Sequence, residues 1–298
     1  MIVGHKSVRD RLRLAIDKRQ NAHAYSFVGP ESVGKFAVAL EFSERFIGAA
    51  RNMSNTIVLA PQHIEEKGKV KVVPIGIETV RDAIRTIGLS NASGCRALII
   101  DDAERLTESA QNALLKTLEE PPEKMIIILV SHNEGSILPT VQSRCVRVPF
   151  SFVSEAEIRQ AFPDAPPVTW LLGRPGIAKL ASKESQAFLE DLSVLDRLTG
   201  FHSISYVDRF AILDSISGDI SRAERILSWW IGVLQGRIAG NGESELGRAS
   251  IIRLISSISS TLRDIRKSPG SARILLETLL YFGKSTSQLF PRLFSRLL

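Results

Sequence analysis

Ala24-Tyr25-Ser26-Phe27-Val28, followed by Gly29-Pro30-Glu31-Ser32-Val33-Gly34-Lys35-Phe36, is the stretch on which the reading of this chain turns. The first five residues are a short apolar run, expected as a buried strand. The next eight nearly match the phosphate-cradling P-loop pattern, and the apolar residues from Phe36 to Ile47 predict the helix that must follow. Gly29 and Gly34 let backbone N–H groups turn inward around phosphates, and the helix N-terminus adds partial positive charge. Lys35 would reach the terminal phosphates. A glycine-rich turn with a chance lysine would share the composition but not the strand–turn–helix setting. The last position departs from a working loop. A Ser or Thr hydroxyl there ligates magnesium, and Phe36 carries no oxygen. Weak or absent nucleotide hydrolysis is expected, with anion binding by the loop left open.

Working outward, apolar runs at Ile57–Leu59, Arg96–Ile100, Met125–Val130 and Val146–Phe150 add four strands. Ile77, Val80, Ile84 and Ile87 recur at helical spacing. Thr107 is placed to cap a helix carrying Ala110, Ala113, Leu114 and Leu118, which Pro121-Pro122 ends. Continuous apolar strands separated by helices predict a parallel five-stranded sheet covered on both faces, filling residues 1–150. The pattern then becomes helical. Pro163, Pro166 and Pro167 interrupt a short region (151–194). Long helices are expected over Glu184–Leu198, Arg222–Ile238, Ser250–Arg266 and Ser271–Phe282, with turns at Asn241-Gly242 and Pro269-Gly270. The stripe Ile251, Leu254, Ile255, Ile258, Leu262, Ile265 reads as core packing.

Leu98-Ile99-Ile100-Asp101-Asp102 is an apolar strand ending in two carboxylates, the form of a magnesium-supporting Walker B element. Many ATPases place Glu second to polarise the attacking water. Asp102 is one methylene shorter, which strains proton abstraction. After the fourth strand, Asn133 is the candidate to face a terminal phosphate, with His132 second; an ordinary loop fits equally well. Ser143-Arg144-Cys145 precedes the fifth strand, and Arg144 could project to a neighbour, where a guanidinium stabilises charge on a transferred phosphoryl group. By spacing alone, a surface arginine in an ion pair fits better.

Other classes of function find little support. The chain has 298 residues, a net charge of +6 and two cysteines. Cys95 and Cys145 make no disulfide framework, in keeping with a reducing cytosol, and five scattered histidines suggest no metal cluster. No apolar run suits a signal peptide or a membrane span, so a cytoplasmic protein is expected. The mild positive charge is compatible with nucleic acid without requiring it.

The combination Asp101-Asp102-Ala103-Glu104-Arg105-Leu106-Thr107, Gln111 through Pro122 (QNALLKTLEEPP) and Ser143-Arg144-Cys145 resembles the signature of AAA+ clamp-loader subunits, as do Val3-Gly4-His5 and His23-Ala24-Tyr25. The resemblance covers roughly the first half. It implies a P-loop AAA+ core (1–150), a small helical lid (151–194) and an all-α collar (195–298). It implies a place in a five-subunit assembly within the DNA polymerase III holoenzyme that opens a sliding clamp (beta) and sets it on primed DNA, with gamma/tau and delta subunits as partners. Phe36 sets the chain apart from ATP-hydrolysing gamma and tau members and favours the delta-prime kind, whose arginine at position 144 would complete a neighbour's ATP site. Arg174, in Gly173-Arg174-Pro175-Gly176, would correspond to the lid's second sensor. Gly29, Gly34, Lys35, Asp101, Asp102, Asn133 and Arg174 would form a vestigial or weak site for ATP or phosphate. Related subunits carry a four-cysteine zinc module after the P-loop helix; Gly48–Ile57 has no cysteine, so zinc is not expected. The alternatives are an ATP-hydrolysing motor subunit of the same assembly and a stand-alone nucleotide kinase. The kinase would leave Ser143-Arg144-Cys145 and the helical half unexplained.

Overall fold

Alternate residues of each central strand face opposite ways, and both directions are apolar. Leu98, Ile100, Ile127 and Leu129 enter one core, while Ala97, Ile99, Ile126, Ile128 and Val130 enter another. These strands are buried on both faces, and each large side chain among them contributes about 1.5–3 kcal/mol by leaving water. The computed structural model describes residues 1–48, 55–66, 69–89, 94–181, 186–201, 203–239, 247–267 and 271–281.

The elements run α1 (Lys6–Asp17), β1 (Ala24–Val28), α2 (Lys35–Ile47), β2 (Thr56–Leu59), β3 (Gln62–Glu66), β4 (Lys69–Val73), α3 (Ile77–Leu89), β5 (Arg96–Ile100), α4 (Glu108–Glu119), β6 (Met125–Ser131), α5 (Pro139–Gln142) and β7 (Val146–Pro149). Among the described residues, further helices follow: α6 (Glu155–Ala161), α7 (Pro167–Leu171), α8 (Pro175–Ala181), α9 (Gln186–Thr199), α10 (Tyr206–Ser217), α11 (Ile220–Ala239), α12 (Arg248–Lys267) and α13 (Ala272–Glu277). The five expected strands pair in parallel in the order β2-β5-β6-β1-β7. Residues of α3, α4 and α5 cover one face of the sheet, and residues of α1 and α2 the other. Thr107 caps α4 as expected, its hydroxyl accepting from the Ala110 N–H at 3.2 Å.

Two compact units result. The first is Met1–Glu157 together with Arg174–Gly176, and the second is Ile158–Gly173 with the chain from Ile177 onward. In the second, Leu195, Leu198, Ile226, Trp230, Ile258 and Ile265 share one core, and the Ile251–Ile265 stripe lies in it as expected. Asp191 is buried between Arg222 and Arg225. Among the described residues no helix is long and apolar enough to cross a membrane.

The antiparallel pair β3–β4 and helices α1 and α10 were not anticipated from sequence. The last expected helix is shorter than read: α13 gives way to a 3-10 turn at Thr278–Tyr281. The turns at Asn241-Gly242 and Pro269-Gly270, the helix start at Glu184 and the helix end at Phe282 lie outside the described residues, as does most of the stretch from Gly48 to Ile57.

Candidate functional site

β1 delivers the chain to the C-terminal edge of the sheet, where Gly29 and Gly34 take φ of 148° and 105°. An ordinary side chain at 29 would have a Cβ 2.2 Å from the Phe150 carbonyl oxygen, so only glycine lets the loop pass the end of β7. Gly34 caps α2, and Lys35 opens it. The buried Lys35 ammonium turns back onto its own loop, donating to the carbonyls of Gly29 (2.8 Å) and Pro30 (2.5 Å). Burial pulls it down to about 8, against the pull of Glu104, Asp101, Glu31 and Asp102. Phe36 packs against the apolar cluster on the α1–α2 face, where it offers no oxygen to a cation.

β5, separated from β1 by β6, supplies the acids. Asp101 is held by its N–H donating to the Leu59 carbonyl at 2.8 Å. Burial first, then the adjacent Asp102, raises its carboxyl to about 6. Asp102 sits in the left-handed region, φ 48°, and its N–H donates to Asp101 Oδ1 at 3.1 Å. Burial followed by Glu104 raises Asp102 as well. Arg174 reaches the loop from later in the chain. The Gly176 N–H donates to the Ser32 carbonyl at 2.9 Å, and the Arg174 guanidinium lies 5.7 Å from the centre of the Phe152 ring. Arg174 Nε is buried without a hydrogen-bond partner, and burial lowers the group's pKa. His5, flagged within Val3-Gly4-His5, backs the loop by donating from Nε2 to the Val33 carbonyl at 3.0 Å.

The fold therefore brings Gly29, Gly34, Lys35, Asp101, Asp102 and Arg174 to one edge. Asn133, two residues beyond β6, lies at the same edge of the sheet, but its amide is turned to Ser136, donating to Oγ at 2.8 Å. The second candidate, His132, is the one tied to the acidic turn, through an ion-paired hydrogen bond from Nδ1 to Glu104. Glu104 has no local sequence signal for this role, because its partner follows a different strand, β6.

Arg144 stands elsewhere. Val146 is level with Tyr25 in the β1–β7 pairing, so Arg144 is level with residue 23, at the N-terminal ends of the strands. Gly29 lies six residues further along, about 20 Å at ~3.3 Å per residue. Arg144 donates to the Thr140 carbonyl (2.7 Å) and to Glu119 Oε1 (2.6 Å) at the end of α4. Its side chain is 34% exposed, in the turn between α5 and the edge strand β7. Gln111 ties this corner to the acidic turn. It is 3% exposed, accepts from the Leu138 N–H (2.7 Å), and donates to Ser136 (3.1 Å) and Leu106 (3.4 Å). A glutamine at helical spacing with Leu114 and Leu118 was the sequence signal for it.

Comparison with known proteins agrees with this geometry. A sequence model of the family described as "DNA polymerase III, delta subunit" matches residues 4–154. The delta' subunit of DNA polymerase III from Pseudomonas aeruginosa is 30% identical over 165 residues, half of each chain. The tau subunit from Bacillus subtilis is 25% identical over 296 residues, 94% of this chain and 48% of that one. The chain thus spans about half the length of these curated relatives. A DNA polymerase III gamma subunit-related protein from Thermotoga maritima superposes with a TM-score of 0.55 at 20% identity, covering 91% of this chain and 97% of that one, which shows the shared AAA+ fold. The chain belongs to the DNA polymerase III, delta subunit family, as a delta'-like clamp-loader subunit.

Proposed function

We propose that this chain is a non-hydrolysing subunit of a clamp loader and lends Arg144 to the ATP site of a neighbouring gamma- or tau-type subunit. The observation that carries the reading is the placement of Arg144, about 20 Å by strand rise from its own P-loop and partly exposed in the turn that enters the edge strand β7. From there it cannot serve a nucleotide held by Lys35 in the same chain. A guanidinium offered outward from an edge suits the stabilisation of charge on a neighbour's transferred phosphoryl group.

The chain's own site supports the other half of the proposal. Lys35 is bonded to its loop's carbonyls, and Phe36 supplies no oxygen for magnesium. Any nucleotide or phosphate binding is weak, through Gly29, Gly34, Lys35 and Arg174. On this reading, residues 151–194 act as the lid and 195–298 as the collar that meets gamma/tau and delta. The assembly places the sliding clamp on primed DNA within the polymerase holoenzyme. A second reading, an ATP-hydrolysing motor, draws on the match to tau over 94% of this chain and on the retained Lys35 and Asp101.

Magnesium-dependent ATP hydrolysis by the purified chain, alone and then mixed with a gamma-type subunit and delta, separates the two. No turnover alone, with clamp- and DNA-stimulated turnover in the mixture, is expected. Steady turnover by the chain alone would favour the motor.

A further inference from the structure

Asp102, Glu104 and His132 each bring a ligand atom within 4.8 Å of the other two. Asp102 and Glu104 follow β5, and His132 follows β6, its hydrogen-bonded parallel neighbour. The trans-arginine role uses neither Glu104 nor His132. The Glu104 side chain is only 6% exposed. One of its oxygens meets His132 and the Ser131 hydroxyl also acts on the carboxyl, while Oε2 is buried with no donor in hydrogen-bond geometry. Buried polar atoms are nearly always satisfied, so an orphaned carboxylate oxygen within a cluster of ligand-type groups points to a missing electrophile.

We infer that Asp102, Glu104 and His132 form a binding site for a divalent first-row transition metal, loaded without nucleotide. One imidazole nitrogen with two carboxylates suits zinc, manganese or iron(II), whereas magnesium favours an all-oxygen shell and keeps its waters. The site differs from the magnesium site of a working P-loop, which needs the hydroxyl that Phe36 lacks. On binding, the hydrogen bond between His132 and Glu104 gives way and a protonated His132 releases its proton to solvent. The ion ties the turn after β5 to the end of β6. The inference stands apart from the trans-arginine reading.

The test is calorimetric titration of the metal-stripped, nucleotide-free full chain with zinc in excess magnesium. One equivalent is expected to bind. His132→Ala and Glu104→Gln should each weaken it by at least about tenfold, whereas Cys95→Ser should not. Failure to bind one equivalent, or binding that survives both site substitutions, overturns the assignment. Pulsed electron paramagnetic resonance of the manganese-loaded wild-type chain decides the point even if a variant misfolds. Coupling to an imidazole nitrogen is expected, and its absence overturns the site.

Discussion

Replacing Gln111 by alanine tests the internal wiring of the first unit. Gln111 joins two loops through three bonds, of which the two shorter are 2.7 Å to the Leu138 N–H and 3.1 Å to the Ser136 carbonyl. The Ser136 bond is worth about 1 kcal/mol net, and losing the Leu138 bond strands a partly buried N–H at about 1–3 kcal/mol, for a loss of roughly 2–4 kcal/mol. Leu138 precedes α5, and α5 leads directly to Arg144, so the loss should concentrate there. Hydrogen exchange is the suitable assay, because the three tryptophans, Trp170, Trp229 and Trp230, all lie in the second unit and do not report on this one. Amides of residues 136–142 should exchange roughly 30-fold faster or more in the variant. In a reconstituted assembly, neighbour-dependent ATP hydrolysis should also fall, though less than when Arg144 itself is removed. Exchange within about threefold of wild type would refute the view that Gln111 holds this corner.

Other perturbations follow from the same contacts. Asp191 is 2% exposed by side chain and pairs with Arg222 and Arg225, which are 28% and 46% exposed. Asp191→Asn should cost about 2 kcal/mol, the value for a broken buried pair reduced for the solvated arginines, and tryptophan fluorescence during urea unfolding reads it in the same unit. Glu41 is held at about 2 by hydrogen bonds from Arg9 and then Arg13, well below the usual 4.5. Its contribution is therefore complete above pH 4.5 and is lost as pH falls through 2. Glu41→Gln should lower stability at neutral pH by about 1–2 kcal/mol, given partial exposure, and flatten the acid unfolding curve seen by circular dichroism. Phe36→Thr should not by itself create vigorous ATP hydrolysis, because Asp102 remains one methylene short; rapid turnover in that variant would overturn the reading of Asp102.

The sheet was legible because its central strands are buried on both faces and write continuous apolar runs such as Ile126–Val130. The cap at Thr107 and the Gly29–Lys35 loop were legible because each is a local pattern with a local cause. The β3–β4 pair was not, since the alternation in Gln62–Glu66 is short and largely polar. Helix α10 was hidden for the opposite reason. Tyr206, Val207 and Phe210 are exposed while Ile212, Leu213 and Ile216 are buried, so its apolar residues ring the helix and give no one-sided stripe. At the site, Lys35 and Asp101 could be read from motifs, but the contacts that decide the chemistry join residues far apart in sequence. The His132–Glu104 and Arg144–Glu119 pairs span 28 and 25 residues. Only the pairing of β5 with β6, and of β1 with β7, determines which ends meet.

The central claim is tested most directly by Arg144→Ala in the reconstituted loader, with ATP hydrolysis measured in the presence of clamp and primed DNA. Glu119 holds Arg144 at the surface and no apolar core depends on it, so the variant should fold and assemble as wild type does. The account predicts a several-fold fall in stimulated hydrolysis with nucleotide binding by the neighbour retained, and no rescue by Arg144→Lys, which lacks the planar fork. Unchanged hydrolysis in a fully assembled Arg144→Ala complex would contradict it.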